Sequence, residues 1–118
     1  MRVLICGDRN WRDERIIYSW LCKLQDWGYT TVIEGEARGA DSIARELAEK
    51  MGFKVIKFPA NWRRYGRAAG PIRNRQMLVE GRPNLVIAFH NDIEHSKGTK
   101  NMIEQARKAG IRVIVEKA

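Results

Sequence analysis

The sequence predicts an α/β fold, a three-layer sandwich whose central five-stranded sheet is mostly parallel. Three observations carry that expectation. One phrase occurs four times: a helix-like pattern, a glycine, then a run containing Val or Ile. The runs are short and apolar throughout, as strands are when helices cover both faces of a parallel sheet. The intervening segments carry apolar residues at helical spacing, so each presents one stripe to a core.

The elements follow in order. Val3 to Cys6 opens the chain as the first strand. Asp13 is placed to cap a helix whose stripe runs Ile16, Ile17, Trp20, Leu21, Leu24 and Trp27, since an aspartate there accepts from orphan first-turn amides. Gly28 stops it before the strand Thr30 to Ile33. A second stripe, Ala40, Ile43, Ala44, Leu47, Ala48 and Met51, stops at Gly52 before Lys54 to Phe58. Pro59 to about Gly70 then reads as a long loop without secondary structure. Pro71 suits a first helical turn and opens a helix to Glu80, with its apolar residues bunched at Met77, Leu78 and Val79. Gly81 precedes the strand Leu85 to Phe89. The last helix opens near Gly98-Thr99, buries Met102, Ile103 and Ala106, and stops at Gly110 before Arg112 to Val115. A glycine just past a helix end takes the left-handed conformation without steric cost, so the four stops mark four helix-to-strand joints.

Composition limits the function classes. At 118 residues, with 44% apolar and 31% charged, the chain is expected to form a single domain spanning residues 1–118. Lys and Arg number 22 against 14 Asp and Glu, a net charge of +8. That excess predicts a partner carrying negative charge: a nucleotide, a nucleic acid or an acidic surface. The opening apolar run is too short for a signal peptide, and no stretch reaches the roughly 20 apolar residues of a membrane span, so no membrane partner is expected. Two cysteines, Cys6 and Cys22, are too few for a disulfide framework or a four-thiolate zinc site, which suggests a reduced, cytoplasmic protein. His90 and His95 lack partners at ligand spacing. A gathering of Asp8, Glu34 and Asp92 around magnesium is weakly motivated, and the reading calls for no metal and no cofactor. Monomer and homo-oligomer stay equally open.

The unusual residues fall after strands, where open parallel sheets bind ligands. Gly7-Asp8-Arg9-Asn10-Trp11 follows the first strand, Gly35 to Asp41 the second, and His90-Asn91-Asp92 the fourth, with Lys97-Gly98-Thr99 entering the last helix. With strand order 3-2-1-4-5, the first and fourth loops flank the crevice. Glycines at a helix entrance let backbone N–H groups approach an anion, which the helix dipole also favours. Gly35, Ala37, Arg38, Gly39, Gly98 and Thr99 are candidate phosphate contacts on that ground, although Gly35 and Gly39 would equally serve a tight turn alone. Asp41 suits an N-cap or a ligand-hydroxyl acceptor. Neither Gly-x-Gly-x-x-Gly nor a Walker P-loop is present, which disfavours a dinucleotide dehydrogenase. Between Trp62 and Arg75 stand five arginines and no acid, including Arg73 and Arg75 around Asn74. Arginine forks suit phosphate and an aromatic ring can stack on a base. A solvated basic loop with Trp62 and Tyr65 on the core explains the same residues.

These segments together, VLICGDR (3–9), GEARGAD (35–41), FPANWRRY (58–65) and AGPIRNRQML (69–78), followed by Gly98-Thr99, resemble the YAcAr branch of the SLOG superfamily over nearly the whole chain. The resemblance implies a Rossmann-like fold that binds nucleotides or nucleotide-derived ligands, and supports Gly35, Arg38, Gly39, Asp41, Arg75, Gly98 and Thr99 as contacts. The superfamily also includes the Lonely Guy phosphoribohydrolases and the DNA-processing Smf proteins. The Lonely Guy enzymes carry Gly-Gly-x-Gly-Thr with glutamates close behind. This chain has Glu94-His95-Ser96-Lys97-Gly98-Thr99, with Glu104 further along and Gln76 where a lysine would follow the arginine.

The expected function is therefore binding of a nucleotide or nucleotide-derived phosphorylated ligand at the carboxyl ends of the strands. The ligand set is Gly7, Asp8, Arg9, Gly35, Ala37, Arg38, Gly39, Asp41, Arg73, Asn74, Arg75, Gly98 and Thr99. Two alternatives remain: N-glycosidic hydrolysis of a nucleoside 5′-monophosphate, with no catalytic residue assigned, and nucleic-acid binding through the arginine-rich segment.

Overall fold

The computed structural model describes all residues, Met1 to Ala118. Five strands, β1 (Arg2–Gly7), β2 (Thr31–Glu34), β3 (Lys54–Lys57), β4 (Leu85–Phe89) and β5 (Arg112–Glu116), form one sheet in the order β3-β2-β1-β4-β5. Every neighbouring pair is parallel, so the sheet is wholly rather than mostly parallel. The crossovers are α1 (Glu14–Asp26), α2 (Ala40–Lys50), α4 (Ala69–Gly81) and α5 (Gly98–Lys108), with a one-turn helix α3 (Trp62–Tyr65) ahead of α4. The architecture is Rossmann-like.

Alternation along the strands divides the core in two, because successive side chains point to opposite faces. Val3, Ile5, Val32, Ile87 and Phe89 pack on one face against Ile17, Leu21 and Leu24 of α1 and Ala40, Ala44 and Ala48 of α2. Leu4, Cys6, Ile33, Val86 and Ala88 pack on the other against Met77 of α4 and Met102, Ile103 and Ala106 of α5. Asp13 caps α1 as expected, its Oδ1 accepting from the N–H groups of Arg15 at 3.1 Å and Ile16 at 3.3 Å.

Four expectations are corrected. Pro59 to Gly70 is not structureless: Asn61 Oδ1 accepts from Arg64 N–H at 3.0 Å and starts α3, a 3₁₀ turn covers Gly66–Ala68, and α4 begins at Ala69. Polar and basic residues gave this turn no apolar period to read. Trp27, placed on the buried stripe, is 56% exposed at the C-cap of α1, where its ring meets Trp20 edge-on. Asp41 is not an N-cap, because Gly39 holds that position and Asp41 lies in the first turn of α2. Gly81 is not the left-handed stop of its helix; Arg82 takes that conformation, with φ 52°. Gly81 is instead the buried end of α4, where a Cβ would stand 2.9 Å from Ile33 Cδ1, so the missing side chain lets α4 close on the sheet. Gly28, Gly52 and Gly110 do have positive φ.

Candidate functional site

The chain reverses its winding between β1 and β4, which lie side by side with Gly7 opposite Phe89. Loops leaving these two strands diverge to opposite faces, and the gap between them is a crevice at the carboxyl edge. It holds a cleft of about 810 Å³, within the size range of small-molecule sites. A smaller depression of about 290 Å³ adjoins it and shares Arg9, Ala37, Trp62 and Arg73.

The β1–α1 loop is fixed from below. Asp8 N–H donates to Phe89 O at 2.9 Å, and Asp8 O accepts from Trp11 N–H and Ala40 N–H at 3.1 Å each. Trp11 is buried, edge-on to Phe89 with centroids 5.6 Å apart, and its Nε1 donates to Asp13 O at 2.8 Å. Against this loop lies Gly39, with φ 73° and the carbonyl of Asp8 and backbone of Arg9 where a Cβ would stand. The β2–α2 turn therefore needs glycine there on two counts, conformation and space.

Asp41 and Arg73 hold that turn from inside. Asp41 Oδ2 accepts from the N–H groups of Gly35 at 3.1 Å and Ala37 at 3.3 Å. Arg73, reaching across from α4, donates from Nη1 to Gly35 O at 2.6 Å and from Nε to Asn74 Oδ1 at 3.0 Å. Asn74, itself buried, donates to Gly98 O at 3.2 Å and Asn101 Oδ1 at 3.1 Å, tying α4 to the start of α5. At that start Thr99 N–H donates to Ser96 Oγ at 3.1 Å, while the N–H groups of Lys97 and Gly98 have no acceptor in the chain. Such first-turn amides are where helices take anions.

The electrostatics are uneven. Arg9, Arg67, Arg73 and Lys97 line the cleft, and none has a carboxylate within 4.0 Å. Burial raises the Asp41 carboxyl to about 6, against the amides of Ala37 and Gly35 and the charges of Arg73 and Arg9, which pull it down. Burial also lowers the Arg73 guanidinium from its ordinary value, opposed by Asp41. Cys6, on the cleft floor, is held far above the ordinary thiol range, by burial first and then by Asp41. The only acidic residues lining the cleft are Asp8, whose Oδ1 accepts from Asn10 N–H at 2.8 Å, and Asp41. His90 Nε2 stands 4.0 Å from Asp8 Oδ2.

Most of the residues singled out from sequence meet here. Gly7, Asp8, Arg9, Ala37, Asp41, Arg73, Asn74, Gly98 and Thr99 line the main cleft, and Gly35 and Arg38 line the adjoining depression. Gly39 lies behind the wall, against Asp8 and Arg9. Arg75 stands apart: it is exposed on α4 and lines neither space. Asp8, Glu34 and Asp92 do not gather, and no group of three His, Cys, Asp or Glu is close enough to hold a metal ion. Trp62, Arg67, His90 and Lys97, which the sequence singled out by segment but left out of the ligand set, line the cleft as well. Trp62 and Arg67 belong to the segment whose arginines and aromatic ring the sequence offered for phosphate and base contacts.

Known proteins resemble this chain in sequence and in fold. Residues 1–65 match YAcAr, the YspA, cpYpsA-related SLOG family. The Gene 61 protein of Mycobacterium phage D29 is 38% identical over 120 residues, across 96% of this chain and 94% of the phage protein. The X-ray structure of DNA processing protein A (DprA) from Streptococcus pneumoniae shares the fold, with a TM-score of 0.75 and 19% identity over 97% of this chain. This chain spans about half of that one, 49% of its length. No helix is long and apolar enough to cross a membrane. With over half of its length matched to the family and a full-length relative above one-third identity, the chain belongs to the YAcAr family of SLOG proteins.

Proposed function

We propose that the cleft binds a nucleotide or nucleotide-derived phosphorylated ligand. One observation carries this reading: four cations without carboxylate partners border the same space as the free Lys97 and Gly98 amides. Cations and free first-turn amides that converge on one cleft offer an anion several charge-assisted hydrogen bonds at once. Phosphoryl oxygens supply that charge in the forked geometry arginine prefers. Asp8 is then the acceptor for ribose hydroxyls. Family membership supports the same reading, since SLOG domains generally bind nucleotide-derived ligands.

Binding without hydrolysis is better supported than cleavage of the N-glycosidic bond. Glu104 is exposed on α5 and lines neither space, and Glu94 is 81% exposed with Lys100 at 3.4 Å. Asp8 and Asp41, the carboxylates that line the cleft, each accept from backbone amides. Calorimetric titration with nucleoside 5′-monophosphates, ribose 5-phosphate and inorganic phosphate tests the proposal. Sub-millimolar binding of at least one phosphorylated compound, with no free base released on chromatography, is the expected outcome. Failure of all of them to bind would remove it, and release of base would replace it with the hydrolase reading.

A further inference from the structure

We infer that Trp62 and Arg9 form a nucleobase-stacking subsite at the mouth of the cleft, so that the preferred ligand is a nucleotide and not a sugar phosphate. The inference rests on the phosphoryl-binding reading of the same cleft and adds where the ligand's other end lies.

Trp62 lines both the main cleft and the adjoining depression, and it is the one Phe, Tyr or Trp lining either. Its ring is 49% exposed, although an indole at a wall could have been buried against the core as Trp11 is. The one-turn helix α3 holds it at the mouth: Asn61 caps that turn at 3.0 Å, and the ring edge meets Gly70, whose added Cβ would stand 3.5 Å from Cη2. Over the ring lies the Arg9 guanidinium, with Cζ 5.6 Å from the centroid, a cation–π distance.

Arg9 has no carboxylate within 4.0 Å, and the indole face lies beneath its guanidinium. Arg9 therefore spans the two halves of the site. Its charge acts on Asp41 and Arg73 inside, while its Cζ lies over Trp62 at the mouth. A π-face and a guanidinium plane are the two surfaces on which nucleobases stack, largely independently of base identity. A sugar phosphate has no flat apolar face to offer either. The indole with the guanidinium over it at the mouth, and the cations and free α5 amides along the cleft, match the two ends of a nucleoside monophosphate.

Calorimetry with adenosine 5′-monophosphate and ribose 5-phosphate, at matched ionic strength, tests this on the wild-type chain and on Trp62→Ala and Trp62→Phe. The wild type is expected to favour the nucleotide by about 10-fold or more, the size of one base–aromatic stack. Trp62→Ala should bring the ratio of the two affinities towards one, and Trp62→Phe should keep most of it. Should Trp62→Ala fail to fold, Trp62→Leu reads the same ratio, since it keeps apolar bulk without a ring. An unchanged ratio without the ring, or no nucleotide preference in the wild type, overturns the subsite while phosphate binding stands. If neither compound binds, the phosphoryl reading falls and the subsite falls with it.

Discussion

At Glu34 the fold buries a carboxyl that water would ionise. Both of its oxygens lie 3.1 Å from Glu36 N–H, and Glu36, at φ 58°, turns its own carboxylate to Arg45 at 2.9 Å. Burial, then the Glu36 and Asp41 carboxylates, push Glu34 up to about 8. Partial burial opposes ionisation of Glu36, but hydrogen bonds from Arg45 and Glu34 outweigh it and its value falls. The proton stays on Glu34 and the charge on Glu36. Unfolded, Glu and Asp release their protons near pH 4, whereas folded Asp41 and Glu34 keep theirs to about 6 and about 8. Between those limits the native state binds more protons than the unfolded one, so stability falls as pH rises. Urea unfolding is expected to show a loss on the order of 2 kcal/mol from about pH 5 to about pH 8, with Glu34→Gln removing most of the slope. A flat or rising profile would contradict the buried-acid assignment. Gly39 gives a second test at this scale. Gly39→Val sets a branched side chain against the Asp8 carbonyl at φ 73° and should cost about 2 kcal/mol or more. Gly98→Ala, with no atom within 4 Å of its Cβ, should melt close to the wild type.

Among elements, α4 does the joining. Arg73 binds it to the β2–α2 turn and Asn74 binds it to α5, so one pair of residues sets the spacing of three cleft walls. Arg73→Ala should lower stability by about 1–3 kcal/mol, as expected for a lost charged hydrogen bond, and weaken nucleotide binding about 10-fold. Arg75→Ala, on an exposed stretch of the same helix, should stay within about 0.5 kcal/mol and leave affinity little changed; calorimetry and urea unfolding of both variants check this. Two positions apart on a helix point to nearly opposite sides. That is why the run Arg73-Asn74-Arg75 could be singled out from sequence while the arginine that faces the cleft could not. The crossover helices α1, α2 and α5 and the strands were legible because apolar periods and glycine stops are local signals. The one-turn helix α3 was not, since it rests on Asn61 and carries no stripe. Gly81 was legible as a helix end but not in its role, because a left-handed stop and a close approach both call for glycine.

Over the whole molecule, the parallel order fixes where the site is before any side chain is considered. With β1 and β4 adjacent and all strands aligned, every loop that follows a strand opens at one edge, so residues far apart in sequence converge there. The glycine-bearing helix entrances were therefore readable as a site from their positions after strands. Trp62, His90 and Lys97 were readable only as members of their segments, because their place in the cleft depends on how loops from different crossovers meet. The net charge of +8 favours any polyanion at long range, and it does not by itself distinguish a nucleotide in the cleft from nucleic acid on the exposed arginines. Amide-resolved NMR titration with adenosine 5′-monophosphate separates the two, because it reports which residues the nucleotide touches. Saturable shifts concentrated at Asp8, Arg9, Ala37, Lys97, Gly98 and Thr99 are the expected result. Shifts confined to α1 or to the outer face of α4, or none at millimolar nucleotide, would contradict binding in the cleft.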